Sequence, residues 1–148
     1  FRESYTIADP NRRHVHQKFQ QMDKHITEFE RSMNQLKKQL NKIQNHVNDH
    51  KLKVLDQSFK SLDRCMRRVT NNPFFSVFLK PIVRVKYDLM AKTIQSVRFE
   101  KDILNKGSVI VQTVSQFIQE CERDRQTVLP LYHQMKAEIF DMSVLERS

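Results

Sequence analysis

VHQKFQQMDKHITEFERSMNQLKKQLNKIQNHV, residues 15–47, is the stretch that decides the fold. From Val15 to Val47 its apolar residues recur at spacings that alternate between four and three. This spacing places them on one narrow stripe of an α-helix that packs against another helix at a shallow angle. A continuous helix here would be roughly 50 Å long at about 1.5 Å per residue. Three residues that are typical of helix N-termini, Asp9, Pro10 and Asn11, mark its start.

A second apolar stripe follows a break at residues 48–50. It runs from Leu52 to Val69 and stops before the sequence NNP at 71–73. Asn and Pro are residues of turns and helix ends, so this stretch predicts a second helix. The two helices form an αα-hairpin or, as the alternative, one bent helix.

Further helices are expected in the second half of the chain. A third helix is predicted from about Ile82 to Asn105, with Gly107 as a left-handed cap at its end. Ser108 is then expected to cap a fourth helix, which Pro130 either kinks or follows with a fifth.

The composition excludes a β-fold and several enzyme classes. One glycine and four prolines in 148 residues provide too few turn-forming residues for a sandwich or barrel. Phosphate-binding loops and the nucleophile elbow of hydrolases also need several glycines. No linker or fixed-period repeat divides the chain. The sequence therefore predicts an all-α protein, a single four- or five-helix bundle over residues 1–148 with two long N-terminal helices.

No catalytic, metal-binding or cofactor-binding residues are predicted. The carboxylates at Glu28 and Glu30 are two residues apart, which turns them about 200° from each other on a helix, so they do not converge on a substrate. His46 and His50 have a helical spacing of four, but no further ligand accompanies them. We therefore expect a protein that is not an enzyme and that acts through binding surfaces.

The charge of the chain points to an anionic partner. The net charge is +9, and residues 51–106 hold thirteen cations against five anions. No zinc-ligand spacing, RNA-binding motif or basic region leading into a zipper is present, so no specific nucleic-acid partner is expected.

The segment NNPFFSVFLKPIVRVKY, residues 71–87, combines aromatic and cationic residues. Such a mixture suits the interface of an anionic membrane, although the segment is too short and too charged to span one. The alternative is that its phenylalanines fill the core where two helices connect. The candidate membrane-binding or partner-binding residues are Phe74, Phe75, Phe78, Lys80, Arg84 and Lys86, with Arg64, Arg67 and Arg68 as supporting charge.

The cysteines and the first residue bear on the cellular compartment. Cys65 and Cys121 either form one disulfide or remain two buried thiols, because their spacing does not fix the distance between them. The chain begins with Phe1, and we interpret it as a processed, secreted form.

Taken over its whole length, the chain resembles the sperm acrosomal fertilization proteins of abalone, which comprise egg-lysin and a paralogue of similar size. The resemblance is carried by the start FRESYTIADPNRRH, the two long apolar stripes, the segment PFFSVFLKPIVRVKY and the overall charge. It includes no short diagnostic motif. The absence of Trp and the presence of two cysteines differ from lysin and favour the paralogue.

This resemblance implies storage in the acrosomal vesicle, release at fertilization and no enzymatic activity. It implies action on the egg surface, through an anionic membrane or an egg-envelope glycoprotein, with promotion of sperm–egg membrane fusion as the expected role. Homodimer formation is left open. The alternatives are a secreted four-helix cytokine that binds a receptor, which would need long overhand loops, and an intracellular coiled-coil fragment.

Overall fold

The computed structural model describes residues 10–49, 52–79 and 100–147. These residues form four helices, namely α1 (Pro10–Asn48), α2 (Leu52–Thr70), α3 (Pro73–Phe78) and α4 (Glu100–Arg147). The described ranges contain no strand, which confirms the all-α prediction. The two long N-terminal helices are also confirmed: α1 ends at Asn48, the first residue of the predicted break, and α2 begins at Leu52.

Helix α1 is the centre of the bundle, because α2, α3 and α4 all pack against it. The apolar stripe that the sequence predicts is the buried face of this helix, and Phe29, Leu36 and Ile43 are fully inaccessible. On α2 the corresponding stripe is buried from Leu55 to Val69. The side chains of both stripes belong to one hydrophobic core, to which α3 and α4 contribute as well.

The boundaries predicted around Gly107 are wrong. Helix α4 begins at Glu100 and continues without interruption through Gly107 and Ser108, so neither residue caps a helix. The rest of the predicted third helix, residues 82–99, lies outside the described residues. Pro130 also lies inside α4 and does not begin a fifth helix. Because Pro130 and Gln126 are exposed, water can bind the Gln126 carbonyl that has no N–H partner at Pro130.

Gly107 lies where the packing of α4 on α1 leaves little room for a side chain, and not in a turn. A Cβ atom at this position would lie 3.1 Å from Cγ2 of Val47 and 3.8 Å from Cζ of Phe59. The missing side chain therefore lets α4 approach the end of α1 closely. In a sequence, a glycine of this kind cannot be distinguished from a helix terminator.

The short helix α3 explains why the second helix stops where the sequence predicts. The side chain of Asn72 accepts a hydrogen bond from the backbone N–H of Phe74 at 2.8 Å, and Pro73 follows in the first turn. The Asn72 amide also donates to the carbonyl oxygen of His25 at 2.9 Å. This one side chain thus both begins α3 and ties it to α1.

Both cysteines are free thiols in this structure. Cys121 is fully buried on α4, and burial, reinforced by three neighbouring carboxylates, raises the pKa of its thiol far above the ordinary value. Cys65 is half-buried against the core on α2. The arrangement corresponds to the second of the two sequence alternatives, two largely buried thiols.

Candidate functional site

A row of positive charge follows the outer side of α1, and we call it the cationic face. It consists of Lys24, Arg31, Lys38 and Lys42. All four residues are exposed, and at 100° per residue they lie opposite the buried stripe of the helix. Lys24, Arg31 and Lys38 are seven residues apart, which is two helical turns or about 10 Å. Their charges therefore form a line rather than a cluster.

Few carboxylates oppose this charge. Between Arg31 and Lys42 the sequence of α1 contains no acidic residue. Glu28 borders the face, where its Oε2 lies 3.6 Å from Nδ1 of His25. Within the described part of the chain, none of the four face residues forms an ion pair.

Helix α2 extends the cationic face on one side. Arg68 is exposed, and its Nη1 donates to Oε1 of Gln35 on α1 at 3.4 Å, which places its charge beside the face. Arg64 lies one turn earlier, and among the described residues its side chain bonds only the hydroxyl of Ser61, at 3.1 Å. Arg67 differs, because its Nε pairs with Oδ2 of Asp63 at 3.0 Å. Of the three arginines that the sequence suggested, Arg64 and Arg68 therefore carry charge that no carboxylate of the described residues balances.

Two other carboxylates of α1, those of Asp23 and Glu30, pair with cations of α4, and ion pairs between the two helices form a ladder. Glu30 accepts two hydrogen bonds from Arg125, at 3.0 and 2.5 Å. Lys37, which lies seven residues after Glu30 on α1, pairs with Glu122 of α4. Because Glu30 is paired with Arg125 of α4, and Glu122 of α4 is paired with Lys37, neither acid neutralises the outer cationic face.

The third step of the ladder is centred on Asp23. Its Oδ2 accepts from Nζ of Lys136 at 2.5 Å, and its Oδ1 accepts from the hydroxyl of Tyr132 at 2.8 Å. Burial alone would raise the pKa of Asp23, but these two hydrogen bonds outweigh it and the pKa is lowered. Burial and the bond to Asp23 raise the pKa of Tyr132. The step therefore fixes α4 against α1 with Asp23 ionised and Tyr132 neutral.

The aromatic part of the predicted binding segment lies in the core. Phe74 and Phe75 are 0% and 2% exposed, and Phe78 is half-buried. The ring of Phe74 packs edge-on against Phe29 at 5.2 Å between centroids, and the ring of Phe78 packs on Tyr132 at 5.7 Å. Phe74 and Phe75 are therefore not surface residues, and the expectation that they meet a membrane does not hold for this conformation.

The cationic part of that segment cannot be compared with the fold. Lys80, Arg84 and Lys86 lie outside the described residues. The structure therefore does not bring these three residues together with the cationic face or separate them from it.

Two other kinds of site are absent from the described residues. They contain no group of three or more His, Cys, Asp or Glu side chains that could hold a metal ion. No helix within the described ranges is long and apolar enough to cross a bilayer.

Sequence reasoning missed the four residues of the cationic face, although a signal for them was present. Their spacing repeats the heptads of the apolar stripe, displaced to the opposite side of the same helix. Comparison of the chain with protein-family models, with curated proteins and with solved structures gives no significant match. We therefore infer the function from the geometry of the chain itself.

Proposed function

We propose that the protein is a non-enzymatic binding protein that attaches to anionic membrane surfaces through its cationic face. The observation that carries this proposal is the line of exposed cations from Lys24 to Lys42, which no carboxylate of the described residues pairs. A straight line of charge on one long helix can meet a flat surface with all of its members at once. A curved or enclosed site would not need this arrangement.

The magnitude of the attraction is sufficient for reversible attachment. A Lys or Arg near an anionic leaflet contributes about 1 kcal/mol. The face and its extension on α2 provide six such residues, Lys24, Arg31, Lys38, Lys42, Arg64 and Arg68. Roughly 4–6 kcal/mol is then available before the cost of orientation, and salt reduces it because the charges are exposed.

The mode of attachment is peripheral. Since Phe74 and Phe75 are inaccessible, lipid contact would involve the charged surface of α1 and α2 rather than inserted rings. This changes the mechanism that the sequence suggests, in which aromatic residues enter the headgroup layer. Binding by charge alone does not need any part of the bundle to open.

The biological setting that we propose follows from the resemblance to the acrosomal fertilization proteins. A secreted cationic bundle released from the sperm acrosome would attach to the anionic membrane of the egg and neutralise it. Neutralisation lowers the repulsion between two membranes and thereby favours their fusion. An acidic egg-envelope glycoprotein presents the same charge chemistry and is the alternative partner if anionic vesicles are not bound.

The test compares two charge-reversal variants of equal net charge. Arg31→Glu with Lys38→Glu removes the centre of the face, whereas Lys18→Glu with Arg123→Glu reverses two exposed cations outside it. Cosedimentation is measured with vesicles of phosphatidylserine and phosphatidylcholine and with phosphatidylcholine alone. We expect binding only to the anionic vesicles, and a loss of about tenfold or more for the face variant alone.

Two results would refute the proposal. If both variants lose the same affinity, net charge rather than the cationic face determines binding. If the unmodified protein does not bind anionic vesicles, membrane attachment is not the function, and the egg-envelope glycoprotein becomes the partner to examine.

A further inference from the structure

A second surface of the protein has a different chemistry from the cationic face. A groove of about 550 Å³ lies along the junction of α1 and α4. It is located between the Lys37–Glu122 ion pair at one end and the contact of Gly107 with Val47 at the other. We call it the amide groove. Its walls include Asn41, Gln44, Gln112, Ser115, Gln116 and Gln119.

The lining of the amide groove contains no charged residue. Charged residues make up 29% of the chain, so eleven lining residues taken at random would include about three. The helices do carry charge nearby, since Lys42 follows Asn41 and Glu120 follows Gln119, but these side chains are not part of the lining. An anionic or cationic ligand would find no partner of opposite charge in the groove.

The groove provides hydrogen-bonding groups that the fold does not use. Asn41, Gln44, Gln112, Gln116 and Gln119 are exposed, and none of these five side chains has a partner among the described residues. Each amide offers two N–H donors and a carbonyl acceptor within one group. A hydroxyl group, which donates once and accepts twice, is complementary to such an amide.

Apolar side chains form part of the same surface. Leu40 is buried, and Val47 and Val111 are half-buried in the lining. A pyranose ring has C–H faces that can rest on such side chains, while its hydroxyl groups project from the ring edge toward the walls. The volume lies within the range of about 300–1,000 Å³ that is usual for ligand sites.

We propose that the amide groove is a binding site for a neutral oligosaccharide. Recognition depends on hydrogen bonds from amides of both helices to sugar hydroxyls and on contact of the ring face with the apolar side chains. The site is separate from the cationic face, which lies on the outer side of α1, whereas the groove lies on the side toward α4. One molecule can therefore bind a sugar and an anionic surface together, and this proposal does not depend on the proposed membrane function.

The experiment uses the full chain and four neutral probes, maltohexaose, cellohexaose, mannohexaose and fully N-acetylated chitohexaose. Binding is measured by isothermal titration calorimetry and by NMR shifts of the side-chain amides. We expect at least one probe to bind saturably and to shift the amide signals of the groove. Raising the salt concentration should leave this binding unchanged, because no ion pair contributes to it, whereas it should weaken attachment to anionic vesicles.

A pair of matched variants assigns the site. Gln44→Ala with Gln116→Ala removes one amide from each helix of the groove and should weaken binding about tenfold. Gln17→Ala with Gln126→Ala removes one exposed amide from each of the same helices outside the groove and should have no effect. All four side chains are exposed, so both variants are expected to fold.

Three results would overturn the proposal. They are the failure of all four probes to bind, an equal loss in the two variants, and binding that disappears at high salt. Loss of vesicle binding in the Arg31→Glu, Lys38→Glu variant with retained sugar binding would support both surfaces independently.

Discussion

Replacement of Phe74 by alanine distinguishes a core residue from a membrane-inserting one. The ring is fully buried, and its centroid lies 5.2 Å from that of Phe29 and 5.6 Å from that of Phe78. Removing it deletes the buried ring and leaves a cavity between α1 and α3. Changes of this kind cost about 3–5 kcal/mol.

The corresponding shift in melting temperature can be worked out from the length of the chain. At about 2.1 cal/mol/K per residue, the unfolding entropy of 148 residues is roughly 0.3 kcal/mol/K. A loss of 4 kcal/mol then lowers the Tm by about 13 °C. Such a loss is a large part of the 5–15 kcal/mol that is typical of a folded domain.

The matched control is Val77→Ala on the same short helix. Val77 is 65% exposed, so its truncation should change stability by no more than about 0.5 kcal/mol. Urea unfolding followed by circular dichroism gives both free energies. If the free energies of unfolding of Phe74→Ala and Val77→Ala lie within about 1 kcal/mol of each other while vesicle binding of Phe74→Ala falls, Phe74 acts at the surface and not in the core.

Three further predictions concern the contacts between α1 and α4. Gly107→Val should destabilise the protein by about 1–3 kcal/mol in urea unfolding, because a Cβ atom already approaches Val47 to 3.1 Å; an unchanged stability would contradict the close packing. The lowered pKa of Asp23 means that its contribution to stability is present at neutral pH and is lost as the pH falls below the ordinary value of 3.8. Asp23→Asn should remove this loss of stability in acid, which is less than about 1 kcal/mol because the carboxylate is partly exposed. The same change of unfolding free energy with acid pH in the variant and the unmodified protein would contradict the prediction. The raised pKa of Tyr132 has the opposite consequence, since its contribution is present below the ordinary value of 10 and is lost above it; Tyr132→Phe should abolish that alkaline loss in pH-dependent melting curves.

The parts of the fold that could be predicted are those in which one residue pattern has one physical interpretation. The alternating spacing of apolar residues from Val15 to Val47 allows only a helix with one buried stripe. A glycine has two interpretations, because it can end a helix or permit close packing. Gly107 packs on Val47, a contact across sixty residues of sequence that no local pattern reveals.

The candidate site also contains a residue pattern with two physical interpretations. A run of aromatic and basic residues indicates a binding segment or a buried connection, and only burial decides between them. Phe74 and Phe75 are core residues because Asn72 turns the chain into α3 and directs them inward against α1 and α4. The position of the cationic face could be predicted from the spacing of its residues on α1. Its lack of ion pairs could not, because it depends on the pairing of Glu30 and Asp23 with Arg125 and Lys136 of α4.

The cationic face can be tested most directly by reacting the surface lysines of the unmodified protein with acetic anhydride, with and without anionic vesicles, and quantifying each site by mass spectrometry. We expect vesicles to protect Lys24, Lys38 and Lys42 and to leave Lys18 reactive, because Lys18 lies outside the face. Protection that is uniform, or that is strongest at Lys18, would contradict the proposed attachment through the cationic face.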